Sequence, residues 1–442
     1  MKISYLPFVR SATAMFCLFS LNSAATADEL LTQAQKLIDA GKARAAFVLL
    51  APQEDARAGD PAFDTLLGIA AIDSGQHSRG IFALERALSV APDNHRARAE
   101  IARAYLALGE TDTAREELKT VREQDIPPEV MRNIDRYLDA VDRIDTATRT
   151  TVRGYLEGTL GHDNNLNAGP RQGSIAIPAF GGLPFTIDKD SRASSSVFAT
   201  AAGGATLRHP VNKNLALTAG ISGWQKVGKH HSEYDTAAVD ANAGILWSAE
   251  RNTWSLTGQY NQIYLDDHRF RRASGLTAQW QHDYNARNQL TTFVQYAALD
   301  YADQHIRDAH RWVYGAGYAH ALRSGEIIYG SVYGINEKEK ASQQSQLGHK
   351  GYGLRFGAQT AAGQPLVLFA SAAFEARRYG GEEAIFLKTR HDRQLDISLG
   401  ATWRFAREWS LTPRATYIKN RSNIELNAYE RTIVSLTLRR DF

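Results

Sequence analysis

Hydrophobic and polar residues alternate with a period of two over most of the last two thirds of the chain, a pattern typical of β-strands with one apolar face. Trp254, Leu256 and Tyr260 alternate with polar residues, and the segments 394–403 and 409–417 repeat the pattern. Averaging over such strands hides the apolar face, so the mean hydropathy of −0.36 does not exclude a membrane barrel. The pattern predicts a β-rich region.

The alternation and the turn residues between segments predict about fourteen strands, an even number, as bacterial single-chain barrels have. The predicted strands lie near 151–160, 193–208, 214–226, 235–248, 253–265, 270–284, 288–300, 311–322, 326–337, 350–362, 365–378, 390–405, 408–420 and 430–442. Pro413 falls inside one of them and lacks a backbone donor, so we expect a local bulge there.

The connections between these strands alternate in length. Those expected on the periplasmic side are short, as at Asn285–Arg287, whereas most others are long and polar, as at Gly161–Arg192, and only Asp266–Arg269 departs from the rule. Short turns on one side and long loops on the other are typical of an outer-membrane barrel. We therefore predict a transmembrane, antiparallel outer-membrane β-barrel.

Aromatic residues near the strand ends agree with this prediction, because membrane barrels carry aromatic girdles at both interfaces. The expected periplasmic girdle comprises Trp247, Trp254, Trp280, Trp403 and Trp409. The expected external girdle comprises Tyr264, Tyr379 and Trp224.

The first part of the chain instead repeats with a period of 34 residues, since Gly41, Gly75 and Gly109 are 34 apart. The same spacing separates Leu50, Leu84 and Leu118. This is the tetratricopeptide spacing, in which each glycine ends the first helix of a pair. We predict a short tetratricopeptide-like helical solenoid of three pairs with a capping helix near Glu129–Ile144, which either binds a protein segment in its groove or serves as a rigid spacer or plug.

The N-terminal end has the features of a secretory signal peptide. Lys2 and Arg10 precede an apolar stretch that is too short to span a bilayer, and Ala25-Thr26-Ala27 is a small-residue cleavage site. The predicted organisation is a signal peptide at 1–27, a periplasmic helical domain at 28–147 and the barrel at 148–442. The single cysteine lies in the signal peptide, so the mature chain would hold neither a disulfide nor a thiolate metal site.

The C-terminal strand ends in an aromatic residue. Val434, Leu436, Leu438 and Phe442 lie on one face of this strand. The pattern resembles the signal that bacterial outer-membrane proteins present to the barrel-assembly machinery. We therefore expect that machinery and the lipid bilayer as partners.

No sequence signature of catalysis is present: neither a nucleophile elbow, a phosphate loop nor a zincin helix occurs. His230-His231 lacks acidic neighbours at ligand spacing, so we interpret it as a solvated loop. The net charge of +3 is too small to indicate a nucleic-acid partner. We expect no enzyme, cofactor or metal, although a Ser-His pair inside the barrel, as in an outer-membrane lipase, stays an open alternative.

The most distinctive local sequence follows the first predicted strand. It comprises Gly161, Asp163, Asn164, Asn165 and Asn167. Asp and Asn side chains bond to their own backbone and tolerate positive φ angles, so the run predicts turn structure. It forms either a tight exit from the strand or a folded loop that shapes the pore mouth.

This run, the 34-residue repeat and the strand count together resemble the surface lipoprotein assembly modifiers, or Slam proteins, over essentially the whole mature chain. The resemblance implies a periplasmic tetratricopeptide domain and a fourteen-stranded barrel. It also implies a translocator that delivers lipoproteins, or in some branches secreted haem-binding proteins, to the cell surface. The exported client protein would be a further partner.

Two other functions fit a repeat domain joined to a barrel. A polysaccharide exporter would use the repeats as a scaffold and would have an acidic or aromatic lumen. A passive porin would have a constriction loop and would give the repeats no role. The sequence leaves both as alternatives.

Overall fold

The computed structural model describes residues 28–124, 126–360 and 365–442. The chain divides into two compact units between Ala147 and Thr148. The predicted signal peptide at 1–27 lies outside the described residues. No helix in the described part of the chain has both the length and the hydrophobicity needed to cross a membrane.

The first unit is helical. Its helices are α1 Glu29–Asp39, α2 Ala43–Leu50, α3 Glu54–Arg57, α4 Pro61–Asp73, α5 His77–Val90, α6 His95–Leu108, α7 Thr111–Arg122 and α8 Pro128–Thr148. α1 with α2, α4 with α5 and α6 with α7 form the three predicted pairs. Ile134, Leu138 and Val141 of α8 are buried in one cluster with Leu118 and Val121 of α7, as expected of a capping helix.

The repeat-defining residues occupy equivalent places in each pair. Gly41, Gly75 and Gly109 follow α1, α4 and α6 with φ angles of 70°, 88° and 82°, a backbone conformation that glycine adopts without steric cost. Leu50, Leu84 and Leu118 lie on the second helix of each pair and are fully buried. The prediction of a tetratricopeptide-like solenoid is confirmed.

The middle pair packs most tightly. A Cβ atom added to Gly80 would lie 2.7 Å from the carbonyl oxygen of Gly68, so neither position has room for a side chain. The ten residues from Phe63 to Ile72 of α4 are all buried, so α4 is enclosed on every face. Arg96 on α6 also donates a hydrogen bond of 3.1 Å to Gln35 on α1. α4 therefore presents no open face to another protein segment.

The second unit is a closed antiparallel barrel of fourteen strands. Its strands are β1 Thr151–Asp163, β4 Ser196–Pro210, β5 Leu215–Gly228, β6 Thr236–Ala249, β7 Asn252–Leu265, β8 His268–Asn285, β9 Asn288–Tyr301, β10 Ala309–Ala321, β11 Ile327–Glu339, β12 His349–Gln359, β13 Leu366–Glu383, β14 Lys388–Arg404, β15 Trp409–Ser422 and β16 Tyr429–Asp441. Between β1 and β4, β2 Ser174–Ile177 and β3 Leu183–Thr186 form a separate hairpin that the sequence analysis did not predict.

Apolar and polar faces alternate around the barrel as the sequence predicts. Leu156 and Leu160 point outward and are exposed, whereas Glu157 and Thr159 between them point into the lumen. The external girdle needs a correction. Trp224 lies on the lumen face with Lys226, and Tyr379 lies on the lumen face with Arg377, because the strand register puts them out of phase with the apolar side.

Pro413 causes no bulge, contrary to expectation. It lies opposite Leu436 in an unshifted β15–β16 ladder. On its other side, the β14–β15 pairing has a gap between Gly400–Arg414 and Trp403–Leu411 but resumes in the same register. Because Pro413 has no backbone N–H to donate, the β14–β15 ladder is interrupted locally, but no extra residue is inserted.

Candidate functional site

The Asp-Asn run lies where the first and last strands of the barrel meet. β1 pairs with β16 on one side and with β4 on the other, so Asp163 at the end of β1 lies opposite both Ile433 and Ser196. We call this end of the barrel the external rim, because the long connections lie here. The β1–β16 ladder, here called the seam, is the pairing that closes the barrel.

Asp163 is completely buried, and two cations hold its carboxylate. Arg431 of β16 donates from Nε to Oδ1 at 3.0 Å and from Nη2 to Oδ2 at 2.5 Å. Lys226 of β5 donates from Nζ to Oδ2 at 3.2 Å, and its ammonium lies 4.2 Å from the ring centroid of Phe198. These charge-assisted hydrogen bonds connect three strands across the seam. We call Asp163, Arg431 and Lys226 the seam clasp.

Asn164 extends the seam beyond the end of β1. Its backbone N–H donates to the carbonyl of Thr432 at 3.1 Å, and the Thr432 N–H donates to the Asn164 side-chain oxygen at 2.7 Å. The side-chain amide thus replaces a backbone carbonyl in the ladder, a substitution for which Asn is well suited.

Asn165 and Asn167 fold the loop that follows. The Asn165 amide donates to the carbonyls of Gly169 and Glu430, both at 2.9 Å, and accepts from the Gly169 N–H at 2.9 Å. Asn167 donates to the carbonyl of Arg192 at 2.8 Å and accepts from the N–H of Ser194 at 3.1 Å. The start and the end of the long loop are therefore held together, as expected for a folded loop.

The turn chemistry differs from the prediction in one respect. The N–H of Asn165 bonds to the Asp163 carboxylate at 3.2 Å, as an Asx turn requires. However, the residue of this run with a positive φ angle, 50°, is Ala168 rather than an Asp or Asn. The side chains of Asn165 and Asn167 instead form hydrogen bonds to other segments of the chain. The positive φ angle falls on Ala168, the residue that follows them.

Gly161 provides space on the lumen face of the seam. A Cβ atom there would lie 2.5 Å from Cζ of Phe198 and 2.7 Å from the carbonyl oxygen of Val434. The absence of a side chain lets the Phe198 ring lie against β1, where it also contacts Lys226.

The C-terminal residues complete the other end of the seam. Phe442 and Gly154 exchange backbone hydrogen bonds of 2.9 and 3.2 Å. Val434, Leu436 and Leu438 point outward and are exposed, so they form part of the lipid-facing surface. Their predicted recognition by the barrel-assembly machinery stays a prediction.

The lumen has two chemically different walls. On β10 to β13, Arg311 pairs with Glu337 at 2.5 Å and Arg377 pairs with Glu375 at 2.6 Å. On β7 to β9 the lumen face is mostly uncharged, as where Gln295 donates to Gln259 at 2.8 Å. The lumen therefore offers charged groups on one side and neutral hydrogen-bonding groups on the other.

Sequence reasoning found Asp163 and the asparagines but missed Arg431 and Lys226. These partners lie 268 and 63 residues from Asp163, and nothing in the local sequence distinguishes them from other lumen-facing cations. Only the strand register could have identified them, because it places β5 and β16 on either side of the pair β1 and β4. Among the described residues, no group of three or more His, Cys, Asp or Glu side chains is arranged to hold a metal.

Comparison with known proteins identifies relatives of both units. The model of the surface lipoprotein assembly modifier family matches residues 153–442, and a tetratricopeptide repeat model matches residues 71–130. A surface lipoprotein assembly modifier from Moraxella catarrhalis is 20% identical over 356 residues, which are 80% of this chain and 67% of that protein.

Two solved structures represent the more distant similarities. The type III secretion translocator chaperone SycD of Yersinia enterocolitica shares 20% identity, with 28% of this chain and 88% of that chain covered and a TM-score of 0.26. The outer membrane channel DcaP of Acinetobacter baumannii shares 10% identity, with 66% of this chain and 97% of that chain covered and a TM-score of 0.39.

The closed barrel with an apolar exterior lies in the outer membrane, and the helical unit that precedes it lies in the periplasm. The family match begins two residues into β1 and extends to the last residue, so it includes the seam, the clasp and all fourteen strands. The chain belongs to the surface lipoprotein assembly modifier family.

Proposed function

We propose that this chain delivers lipoproteins across the outer membrane to the cell surface, with the barrel as the conduit. The observation that carries the proposal is the family match over residues 153–442, which spans essentially the entire barrel. The relative from Moraxella catarrhalis is named for the assembly of surface lipoproteins.

The lumen supports a protein client. Its charged wall offers Arg311, Glu337, Glu375 and Arg377, and Tyr333 donates to Glu375 at 2.8 Å. An extended chain exposes N–H and C=O groups, which can exchange hydrogen bonds with such side chains and with the glutamines of the opposite wall. Contacts that are numerous and individually weak hold a moving chain without trapping it.

The helical unit would act before the barrel does. A solenoid that holds a client by one segment raises the client's local concentration at the periplasmic entrance. α4 is enclosed on all sides, so we assign client binding to the outer surfaces of α1, α6 and α8 rather than to α4. We further propose the barrel-assembly machinery as a partner and haem-binding or other metal-acquisition proteins as one client class.

The energy for delivery would come from the client. The periplasm lacks ATP, and the sequence contains no phosphate loop. Folding or binding of the client outside would prevent its return, which gives transport a direction without hydrolysis by this chain.

The experiment that tests the proposal measures surface display of lipoproteins encoded beside this chain, in cells with and without it. Intact cells are treated with protease, and the fraction of each lipoprotein that is cleaved is measured. We expect display to require residues 148–442 and to fall when residues 28–147 alone are deleted. A chain with Asp267→Asn, an exposed carboxylate in the β7–β8 turn, provides the control.

Equal display with and without the chain would overturn the proposal. Loss of a surface polysaccharide, with lipoprotein display unchanged, would favour the exporter. A steady ion conductance of the purified protein with no effect on any surface molecule would favour the porin.

A further inference from the structure

The outward face of four neighbouring strands carries a cluster of basic residues at the external rim. Lys350 lies on β12, Arg378 on β13, His391 and Arg393 on β14 and Arg421 on β15, and all five are exposed. We call these five residues the rim patch. They lie on the opposite face from the lumen, because the lumen-facing Arg377 and Asp392 alternate with them along the same strands.

The strand register brings the rim patch together. Lys350 lies opposite Arg378, Arg378 opposite His391, and Arg393 opposite Arg421. Adjacent strands are about 4.8 Å apart, so a single ligand with several negative groups can reach all four strands. The patch residues also line a depression of about 730 Å³ at the rim, together with Tyr352, Ser422, Asn423 and the lumen-facing Arg377 and Asp392, whose carboxylate is bound by Arg390.

The cations of the rim patch have no acidic partners. Among the described residues, no carboxylate lies within salt-bridge distance of Lys350, Arg378, Arg393 or Arg421. Two other outward cations at the same rim, on β8 and directly after β11, share one carboxylate. Arg272 and Lys340 both bind Asp300, at 3.1 and 2.7 Å.

Glu430 of β16, which interacts with Arg421 beyond ion-pair distance, is already paired with Lys419 and lies 3.4 Å from Arg171. Adjacent like charges repel one another, and none of the four cations forms an ion pair with a carboxylate of the described residues. An anion from outside the chain would reduce this repulsion.

The position of the patch relative to the membrane indicates which anion this is. Tyr352 lies two residues below Lys350 on the same face, and Leu395 lies two residues below Arg393. Both side chains are exposed and belong to the lipid-facing band. The cations therefore lie about one headgroup height above the region that contacts acyl chains. A molecule that satisfies both zones has phosphate groups above and hydrocarbon chains below.

We propose that the rim patch binds a lipid of the outer leaflet whose headgroup carries phosphate groups. The phosphates lie between the guanidinium groups of Arg378, Arg393 and Arg421, which match phosphate oxygens with paired N–H donors. Lys350 adds a further charge, and the acyl chains pack against Tyr352 and Leu395. This binding site is separate from the conduit and does not depend on the proposed transport function.

The test uses the full-length protein in detergent micelles and measures binding of bisphosphorylated lipid A by native mass spectrometry. The variant carries Arg378→Gln and Arg393→Gln. The control carries Arg272→Gln, which removes an outward cation at the same rim that already has a partner. Heat-dependent migration on gels verifies that each barrel is closed.

We expect the double variant to lose about fivefold in affinity for each of the two cations removed, hence about twenty-fivefold, whereas the control stays within about twofold of the unchanged protein. Fully dephosphorylated lipid A should bind the unchanged protein at least as weakly as lipid A binds the double variant, because the variant keeps Lys350 and Arg421. Equal binding by a closed double variant would overturn the proposal. So would full competition by inorganic phosphate, since that would identify a site for a free anion rather than a lipid.

Discussion

Asp163 is the residue on which the external end of the seam depends. A carboxylate with no exposed surface is costly unless its charge is compensated, and Arg431 and Lys226 compensate it from two other strands. Asn164 and Asn165 add neutral hydrogen bonds to the same junction. The local sequence is that of a turn, but its side chains also hold the first strand to the last.

Replacing Asp163 by Asn should therefore destabilise the barrel. We expect the free energy of unfolding to fall by about 3 kcal/mol, because two partly buried cations lose their counterion. Urea unfolding of the full chain in detergent, followed by tryptophan fluorescence, measures this, since all seven tryptophans lie in the barrel. Asp267→Asn removes a carboxylate from an exposed turn and should change the free energy by less than about 0.5 kcal/mol.

A double-mutant cycle separates the clasp from a general effect of the substitution. Combining Asp163→Asn with Arg431→Gln should cost less than the sum of the two single changes, because each breaks the same ion pair. Strict additivity would show that the two residues act independently and would contradict the clasp.

At the scale of single residues, the sequence indicates which residues form the turn but not which side chains they bind. Asp163 and Asn165 stand out because Asp and Asn in close succession indicate turns. Arg431 gives no such signal, because arginines at alternate positions are common on lumen faces. Its role follows only when the barrel closes and brings residue 431 beside residue 163.

Among the elements, α3, α4 and α5 are joined by a cluster of ion pairs. Glu54 of α3 accepts hydrogen bonds from Arg79 at 2.6 Å and from Arg86 at 3.1 Å, both on α5. Arg86 also binds the buried Asp64 of α4 at 2.7 Å. Burial opposes ionisation of Glu54, but the two guanidinium groups outweigh it and leave its pKa below the ordinary value.

This ion cluster makes the helical unit sensitive to acid. Because the pKa of Glu54 is lowered in the folded state, its contribution is complete above the ordinary glutamate pKa of about 4.3 and is lost as the pH falls through the lower folded value. We expect Glu54→Gln to lower the thermal midpoint of the helical unit at pH 7 and to weaken its dependence on pH below about 5. Circular dichroism at 222 nm on the full chain measures both.

Glu116→Gln provides the control for this experiment. Glu116 lies on α7 in an exposed pair with Lys119 at 3.0 Å, and such a pair contributes little. An equal effect of the two substitutions would show that the acid sensitivity belongs to helix charge in general and not to Glu54.

The elements themselves were largely predictable. Period-2 alternation gives all fourteen barrel strands to within a few residues, because each strand has one face in lipid and the other in the lumen. The hairpin of β2 and β3 escapes this reasoning, since a short hairpin in a polar loop has no lipid face. Phe185 and Phe180 there lie 5.4 Å apart, ring to ring, without any alternating pattern around them.

On the scale of the whole molecule, closure of the barrel depends on the seam. The β1–β16 ladder runs from Tyr155–Asp441 to Asp163–Ile433, whereas β1 pairs with β4 along its whole length from Thr151. The clasp holds the external end and the Phe442–Gly154 bonds hold the periplasmic end. A barrel is stable only as a closed ring, so weakening the seam weakens every strand.

A disulfide across the seam should therefore restore the stability that the Asp163→Asn chain loses. Leu160 and Leu436 lie directly opposite each other and point outward, at a separation typical of antiparallel neighbours that a disulfide can bridge. In the Asp163→Asn chain, Leu160→Cys with Leu436→Cys should recover most of the stability under oxidising conditions. Val332→Cys with Leu354→Cys on β11 and β12 forms a bridge away from the seam that closes a much shorter loop, so it should recover less.

The Leu160–Leu436 bridge, placed in a chain that keeps Asp163, also separates two routes for the client. If clients pass through the lumen, as proposed, a chain with an intact clasp and the Leu160–Leu436 bridge should display lipoproteins as well as its reduced form, because the seam never has to open. Protease treatment of intact cells measures display, and the β11–β12 bridge is again the control. Display that is lost on locking the seam, and only there, would mean that clients leave sideways between β1 and β16, and the clasp would then be the lock of a lateral exit.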